Sequence, residues 1–237
     1  MNEVPSTASA QQRNLLEKAL LEIRKLKHQI NEMEQREHEP IAIVGLSCRF
    51  PGGNTPEEFW QALCEGRDCI TEMHQQRWNM DALYDPDPDV PGKIYTRALG
   101  IVQDPECFDA GFFGIAPREA EDIDPQHRVL LEVCHEALQR SGISVNSLAN
   151  SATGVFVGIS GQDYAHLGSR LGKAENITPW QGTGNALSAA AGRISYLFDL
   201  RGPSVSVDTA CSSSLVALHL ACQSLRSGES ETALVGG

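Results

Sequence analysis

The sequence predicts an α/β fold in which a mainly parallel β-sheet is covered by helices on both faces, preceded by a parallel dimeric coiled coil at the N-terminus. Three observations carry this. Beyond residue 40, short apolar runs of strand character alternate with helical runs, the pattern of parallel strands joined by right-handed crossovers. Before residue 39, a stretch without Gly or Pro carries apolar residues at heptad spacing. The composition, 41% hydrophobic and 21% charged over 237 residues, is that of a chain able to bury one sizeable core.

The first segment, residues 1–38, has a Ser/Thr/Ala/Gln lead followed by an uninterrupted helix that Pro40 brings to a close. Leu16, Ala19, Ile23, Leu26, Ile30 and Met33 are spaced 3, 4, 3, 4, 3, an a/d seam narrower than the stripe of a globular helix. Ile at a with Leu26 at d favours two parallel strands, and Glu22 at g faces Lys27 at e of a partner chain. The natural reading is a parallel homodimer. The alternative is a helix packed on its own domain, since the seam covers under three heptads and short helices are marginal alone. Leu15 and Leu20 widen the apolar face, enough to receive another helix.

Residues 39–237 form the globular part. Ile41, Ala42, Ile43 and Val44 read as a short buried strand ended by Gly45. PEEFWQALCEGRD is a helix with Pro56 and two glutamates in its first turn, and residues 71–105, including DPDPDVPGK, read as a long irregular excursion. Asp124 and Pro125 cap and open a helix whose Val129, Leu130, Val133, Ala137 and Leu138 recur at helical spacing up to Ser141-Gly142. TGVFVGIS is a second strand, NALSAAAGRISYLF a small-residue helix, GPSVSVDTA a third strand, CSSSLVALHLACQSLRSG a helix and ETALVGG a last strand. ALVGG ends on an apolar strand, where a domain boundary belongs in exposed linker, so the chain reads as cut within a domain.

Charge excludes some function classes. With 19 basic and 31 acidic residues the chain carries −12 and no basic cluster, which argues against nucleic-acid binding. No apolar run reaches the length of a membrane span and the first residues are polar, so a cytosolic protein away from the membrane is expected. The seven cysteines are scattered without C-x-x-C pairs, fitting neither a disulfide framework nor a zinc cage, so no metal is expected.

One cysteine stands apart. In VSVDTACSSSLVALHLA a strand turns directly into a helix with Cys211 at the junction and Ser212, Ser213 and Ser214 behind it. A thiol at a helix N-terminus feels the positive end of the macrodipole and unpaired backbone N–H groups, which favour thiolate and can hold a developing oxyanion. On these residues alone, a buried cysteine on a tight turn is the equal alternative.

This segment resembles the active-site stretch of the β-ketoacyl synthase domains of modular type I polyketide synthases. It does so together with EPIAIVGLSCRFPGG, FDAGFFGIAPREAEDIDPQHRVLLEVCHEAL and GTGNALSAAAGRISYLFDLRGPSVSV, in the right order. The resemblance spans residue 39 to the end, and residues 1–38 are similar to the docking helices that precede the first ketosynthase of many such polypeptides. It implies a thiolase-like fold, of which this chain supplies the first of two pseudo-repeated halves. It also implies that Cys211 accepts an acyl chain from the phosphopantetheine arm of an acyl carrier protein. The chain is then passed to a carbanion made by decarboxylating a malonyl-type extender, giving a β-ketoacyl thioester. No cofactor is bound directly. The implied partners are the acyl carrier protein, the C-terminal docking helices of an upstream synthase subunit and a second copy of this chain.

In the family two histidines, in HGTG-type and GH-type motifs, stabilise the charge formed during decarboxylation and condensation; neither motif occurs here. None of His28, His38, His74, His127, His135, His166 and His219 therefore receives a catalytic role, and the 237 residues alone are expected to be inactive in condensation. The rival from another class is a non-catalytic docking and dimerisation piece. A loading-type decarboxylase would carry Gln at position 211, and the RFPGG and FDAGFFGIAPREAEDIDPQ blocks speak against a degradative thiolase.

The remaining candidates read as structural. Gly182-Thr183-Gly184-Asn185 lacks the third glycine and the preceding strand of a dinucleotide loop. Gly158-Ile159-Ser160-Gly161 is a residue short of a nucleophile elbow. Asp208 is expected to order a turn. Arg49, Arg118, Arg193 and Arg201 fit carrier-protein contacts and intrachain links equally well, and the alanines of 186–191 fit a subunit interface or intrachain packing.

Overall fold

The computed structural model describes residues 7–37, 39–73, 79–171 and 178–237. The chain divides into two compact units, Met1–Ala42 and Ile43–Gly237. In the first, helix α1 spans Thr7–Glu37 as one piece, as expected of a run without Gly or Pro. Leu16, Ala19, Ile23, Leu26 and Ile30 are all exposed, as are Leu15 and Leu20, while the side chain of Met33 lies outside the described residues.

The second unit opens with α2 (Pro56–Cys64), where the Thr55 hydroxyl accepts the Glu58 N–H and Pro56 occupies the first turn. The excursion after it is more ordered than its composition suggests. Strand β1 (Ile70–Glu72) pairs antiparallel with β2 (Ala98–Gly100), and α3 (Met80–Leu83) lies between them. Next come α4 (Pro117–Asp122), α5 (Pro125–Arg140) and α6 (Val145–Leu148). Asp124 caps α5 by accepting the Gln126 N–H at 2.8 Å.

The sheet follows, with β3 (Thr153–Gly158), α7 (Asp163–Leu171), α8 (Pro179–Asn185), α9 (Ala189–Leu197), β4 (Ser204–Val207), α10 (Ser213–Ser227) and β5 (Thr232–Gly236). Its order is β4-β3-β5 and both pairings are parallel. Every residue of β3 is buried, the position of a central strand covered on both faces. Strand alternation divides the core in two. Val155 and Val157 face a cluster with Leu131, Cys134 and Leu138 of α5 and Ala190, Ala191 and Ile194 of α9. Phe156 points the other way, onto Ala217 and Ala221 of α10. Each fully buried Val, Leu, Ile or Phe here contributes about 1.5–3 kcal/mol relative to exposure.

Two sequence expectations are corrected. Residues 41–44 form no strand; Ile43 and Val44 are exposed, and the adjoining chain packs against α5 instead. A Cβ on Gly45 would stand 2.3 Å from the Ala137 carbonyl oxygen, the Ser47 hydroxyl donates to Glu136, and Arg49 forms a two-pronged ion pair with the same carboxylate. The apolar run has strand propensity, but a strand exists only by pairing, and among the described residues none lies beside it. The inward stripe of α5 is also rotated from the one expected. His127, Leu131, Cys134 and Leu138 are buried, while Val129, Leu130, Val133 and Ala137 are half-buried flanks.

His127 is the cost of that rotation. It is 1% exposed, and neither ring nitrogen has a hydrogen-bond partner among the described residues. Burial lowers its pKa to about 4, opposed by the nearby Asp124 charge and assisted by Arg193. The unfolded imidazole protonates near 6.5 while the folded one stays neutral, so this group's contribution is intact above that pH and is lost as the pH falls through about 4. We expect the urea midpoint of the chain to drop across that window, and His127→Leu to remove that part of the pH dependence. The check is urea titration at closely spaced pH values.

Candidate active site

Strand β4 leaves the sheet at Val207, and within six residues the chain has become α10. Asp208 exits first and accepts the Ala210 N–H on Oδ1 at 3.0 Å, so its carboxylate orders the turn. Ala210 sits at φ +54°, a left-handed conformation that costs a non-glycine residue about 1–2 kcal/mol. Ala210–Ser212 form a single 3-10 turn with Cys211 at its centre, exposed.

Two serines hold this turn. The Ser212 hydroxyl bends back to the carbonyl and hydroxyl oxygens of Thr209, both at 2.9 Å. Engaged there, it gives α10 no side-chain cap, and the helix begins with its positive end beside Cys211. Ser213 is buried. Its hydroxyl accepts the Thr209 N–H at 2.9 Å and donates to the Ala210 carbonyl at 2.7 Å. Beneath it ends β3, where a Cβ on Gly158 would lie 2.6 Å from the Ser213 carbonyl carbon and the Ser214 nitrogen.

The seven cysteines are all free thiols. Exposure alone does not distinguish Cys211, because Cys64 and Cys107 are exposed too. Cys134 is closed off in the core, and burial pushes its pKa up to about 12; burial also raises that of Cys48. Cys211 alone occupies a strand-to-helix junction. Among the described residues no group of three or more His, Cys, Asp and Glu is arranged to hold a metal ion.

The other candidates turn inward on the chain. Arg49 pairs with Glu136, Arg193 with Glu119, and Arg201 with Asp199 and Asn150, while Arg118 stands over the Trp180 ring. Gly182–Asn185 lies inside α8, and a Cβ on Gly184 would meet the Asp122 carbonyl oxygen at 2.3 Å, so the glycine serves helix packing. Ala190 and Ala191 are buried within the chain's own core. His219 is exposed on α10, and His135 packs edge-on against Phe112. His38 and His74 lie outside the described residues. The left-handed Ala210 and the two serine bridges were not anticipated from sequence, where the serines read only as small neighbours; the run of three hydroxyls at a strand end was the available signal.

The profile of the family "Beta-ketoacyl synthase, N-terminal domain" matches residues 38–237. The chain belongs to the β-ketoacyl synthase family. It is 49% identical over 224 residues to "Polyketide synthase GfsB" of Streptomyces halstedii, covering 94% of this chain and 4% of that protein. It is 49% identical over 199 residues to "Mycocerosic acid synthase-like polyketide synthase" of Mycolicibacterium smegmatis, covering 84% of this chain and 9% of the other. Among solved structures, the oxazolomycin ketosynthase domain OzmH KS7 of Streptomyces albus JA3453 superposes with a TM-score of 0.76 at 40% identity, over 84% of this chain and 34% of that one. The ketosynthase from module 6 of the bacillaene synthase of Bacillus subtilis 168 gives 0.70 at 39%, over 82% and 31%.

These residues are thus the N-terminal part of a type I polyketide synthase ketosynthase domain, with its thiolase-like α/β fold. The chain spans about a third of the solved ketosynthase chains and less than a tenth of the two synthases' length. The ketosynthase junction yields a direct expectation for iodoacetamide. At neutral pH Cys211 alkylates while Cys134 stays unmodified until the chain unfolds, as peptide mapping by mass spectrometry will register; early labelling of Cys134 would contradict its burial.

Proposed function

We propose that Cys211 is the acyl-accepting nucleophile of polyketide chain elongation. The observation that carries this is the placement of an exposed thiol on the braced turn between β4 and α10. The sulfur attacks the carbonyl carbon of an acyl thioester borne on the phosphopantetheine arm of an acyl carrier protein. A new C–S bond forms, the C–S bond to the arm breaks, and the arm leaves as its thiol. One thioester replaces another, so the exchange is nearly balanced. The uncapped start of α10 is suited to the negative charge that collects on the carbonyl oxygen.

Condensation follows when a malonyl-type extender loses carbon dioxide and its carbanion takes the acyl group from Cys211. That step needs hydrogen-bond donors for the enolate oxygen, which the family draws from HGTG-type and GH-type motifs that residues 1–237 do not contain. The donors therefore come from outside these residues. We place the reaction in the cytosol, which seven free thiols suit.

Residues 1–38 act as a docking segment and 39–237 as the ketosynthase portion. The exposed seam of Leu16, Ala19, Ile23, Leu26 and Ile30, continued in sequence by Met33, supports a parallel coiled coil with a second copy. The broader face at Leu15 and Leu20 supports reception of the C-terminal helices of an upstream subunit.

Acyl loading tests the first part. Incubated with an acyl thioester, the full-length protein is expected to carry the acyl group on the Cys211 peptide and to lose it in Cys211→Ala; acylation that persists in the variant or falls on Cys222 would overturn the assignment. Sedimentation tests the second. A peptide of residues 1–38 is expected to be dimeric, and replacing Ile23 and Ile30 by Asp to make it monomeric and unable to bind upstream tails. A wild-type peptide that is monomeric and binds none of those tails sinks the docking reading.

A further inference from the structure

We propose that Ser213 is a positioning residue for Cys211, holding Ala210 in its left-handed conformation so that the thiol is presented to the acyl donor. The inference rests on Cys211 being the acyl acceptor, and assigns the neighbouring hydroxyl a task beyond filling space.

The geometry is specific. Ser213 uses its proton on the Ala210 carbonyl and a lone pair on the Thr209 N–H, so one hydroxyl grips the residues leading into Cys211. Ala210 is not a residue that chooses φ +54° by itself. If its backbone relaxed to an ordinary conformation, the adjoining peptide planes would rotate and Cys211 would be re-aimed. The Asp208 carboxylate and the Ser212 hydroxyl also hold the turn, but both residues are exposed and water competes for their bonds. Ser213 is buried, so its two bonds meet less competition than those of Asp208 and Ser212, and removing the hydroxyl takes from the Thr209 N–H its side-chain acceptor while the Ala210 carbonyl keeps only the Ser213 backbone N–H. Its backbone packs against Gly158 at the end of β3, where a Cβ would stand 2.6 Å from the Ser213 carbonyl carbon. Both bonds lie outside the strand ladder and the helix, so their loss strikes the turn rather than the elements it joins.

The test uses the full-length protein, reading acyl transfer to Cys211 together with iodoacetamide alkylation of the same thiol, which needs no acyl substrate. Ser213→Ala is expected to lower the acylation rate constant by about tenfold or more, with the KM for the acyl thioester little changed. Adding Ala210→Gly, which takes the left-handed conformation without strain, should restore much of that loss. Ala210→Val, at an exposed position, should slow acylation while the fold is retained, and it keeps the inference testable if Ser213→Ala does not fold. Wild-type rates in Ser213→Ala, a loss that only tracks the folded fraction, or no gain from Ala210→Gly would each overturn the inference. Wild-type protein that alkylates at Cys211 but acylates elsewhere would instead overturn the nucleophile assignment.

Discussion

The contact on which the site depends is between the end of β3 and the start of α10. Gly158 brings the last residue of the central strand so close to Ser213 and Ser214 that a single Cβ would collide with backbone. This contact sets how far α10 can settle onto the sheet. The hydroxyl of Ser213 then converts that placement into a shape for the turn, through bonds to Thr209 and Ala210. Cys211 stands on the turn that these contacts shape. The thiol is thereby exposed on a turn held by hydrogen bonds of Asp208, Ser212 and Ser213.

Much of this was legible in the residues. Strands β3, β4 and β5 and helices α5 and α10 declare themselves through local pattern: apolar runs of strand length, the Asp124-Pro125 opening of α5, and Gly228 beyond α10 in the left-handed conformation favoured at a helix end. The strand-to-helix junction at Cys211 followed from the same patterns. The order Ile41 to Val44 has equal strand character yet forms none, because pairing is a non-local property. The inward face of α5 is hidden in the sequence because a stripe that includes His127 and Cys134 does not stand out against Val129, Leu130 and Val133. Ala210 announces no left-handed turn, since alanine has no preference for one, and only the surrounding bonds impose it.

Family membership and physical reading meet at the same place by different routes. Similarity to ketosynthases identifies the stretch as a whole, but says nothing about why Ser213 rather than Ser212 is buried or why Asp208 faces back to the turn. Those follow from the packing of Gly158 against Ser213 and Ser214, too close for a Cβ, and from the hydrogen bonds themselves. Of the four arginines that sequence left open between carrier-protein contacts and internal links, Arg49, Arg193 and Arg201 bond to groups on the chain and Arg118 stands over the Trp180 ring.

The two faces of the sheet are built to different tolerances. Toward α5 and α9 the core mixes Val, Leu, Ile and Phe side chains with Cys134, Ala190 and Ala191, and the volumes of the larger ones can be exchanged and repacked. Toward α10 it is made of Ala217 and Ala221 under Phe156, with glycine at the point of nearest approach, so the separation is set by main chain rather than by side-chain size. A change of side-chain volume on the first face can be absorbed by its neighbours, whereas any added atom at Gly158 on the second pushes directly on the main chain that leads out of the Cys211 turn.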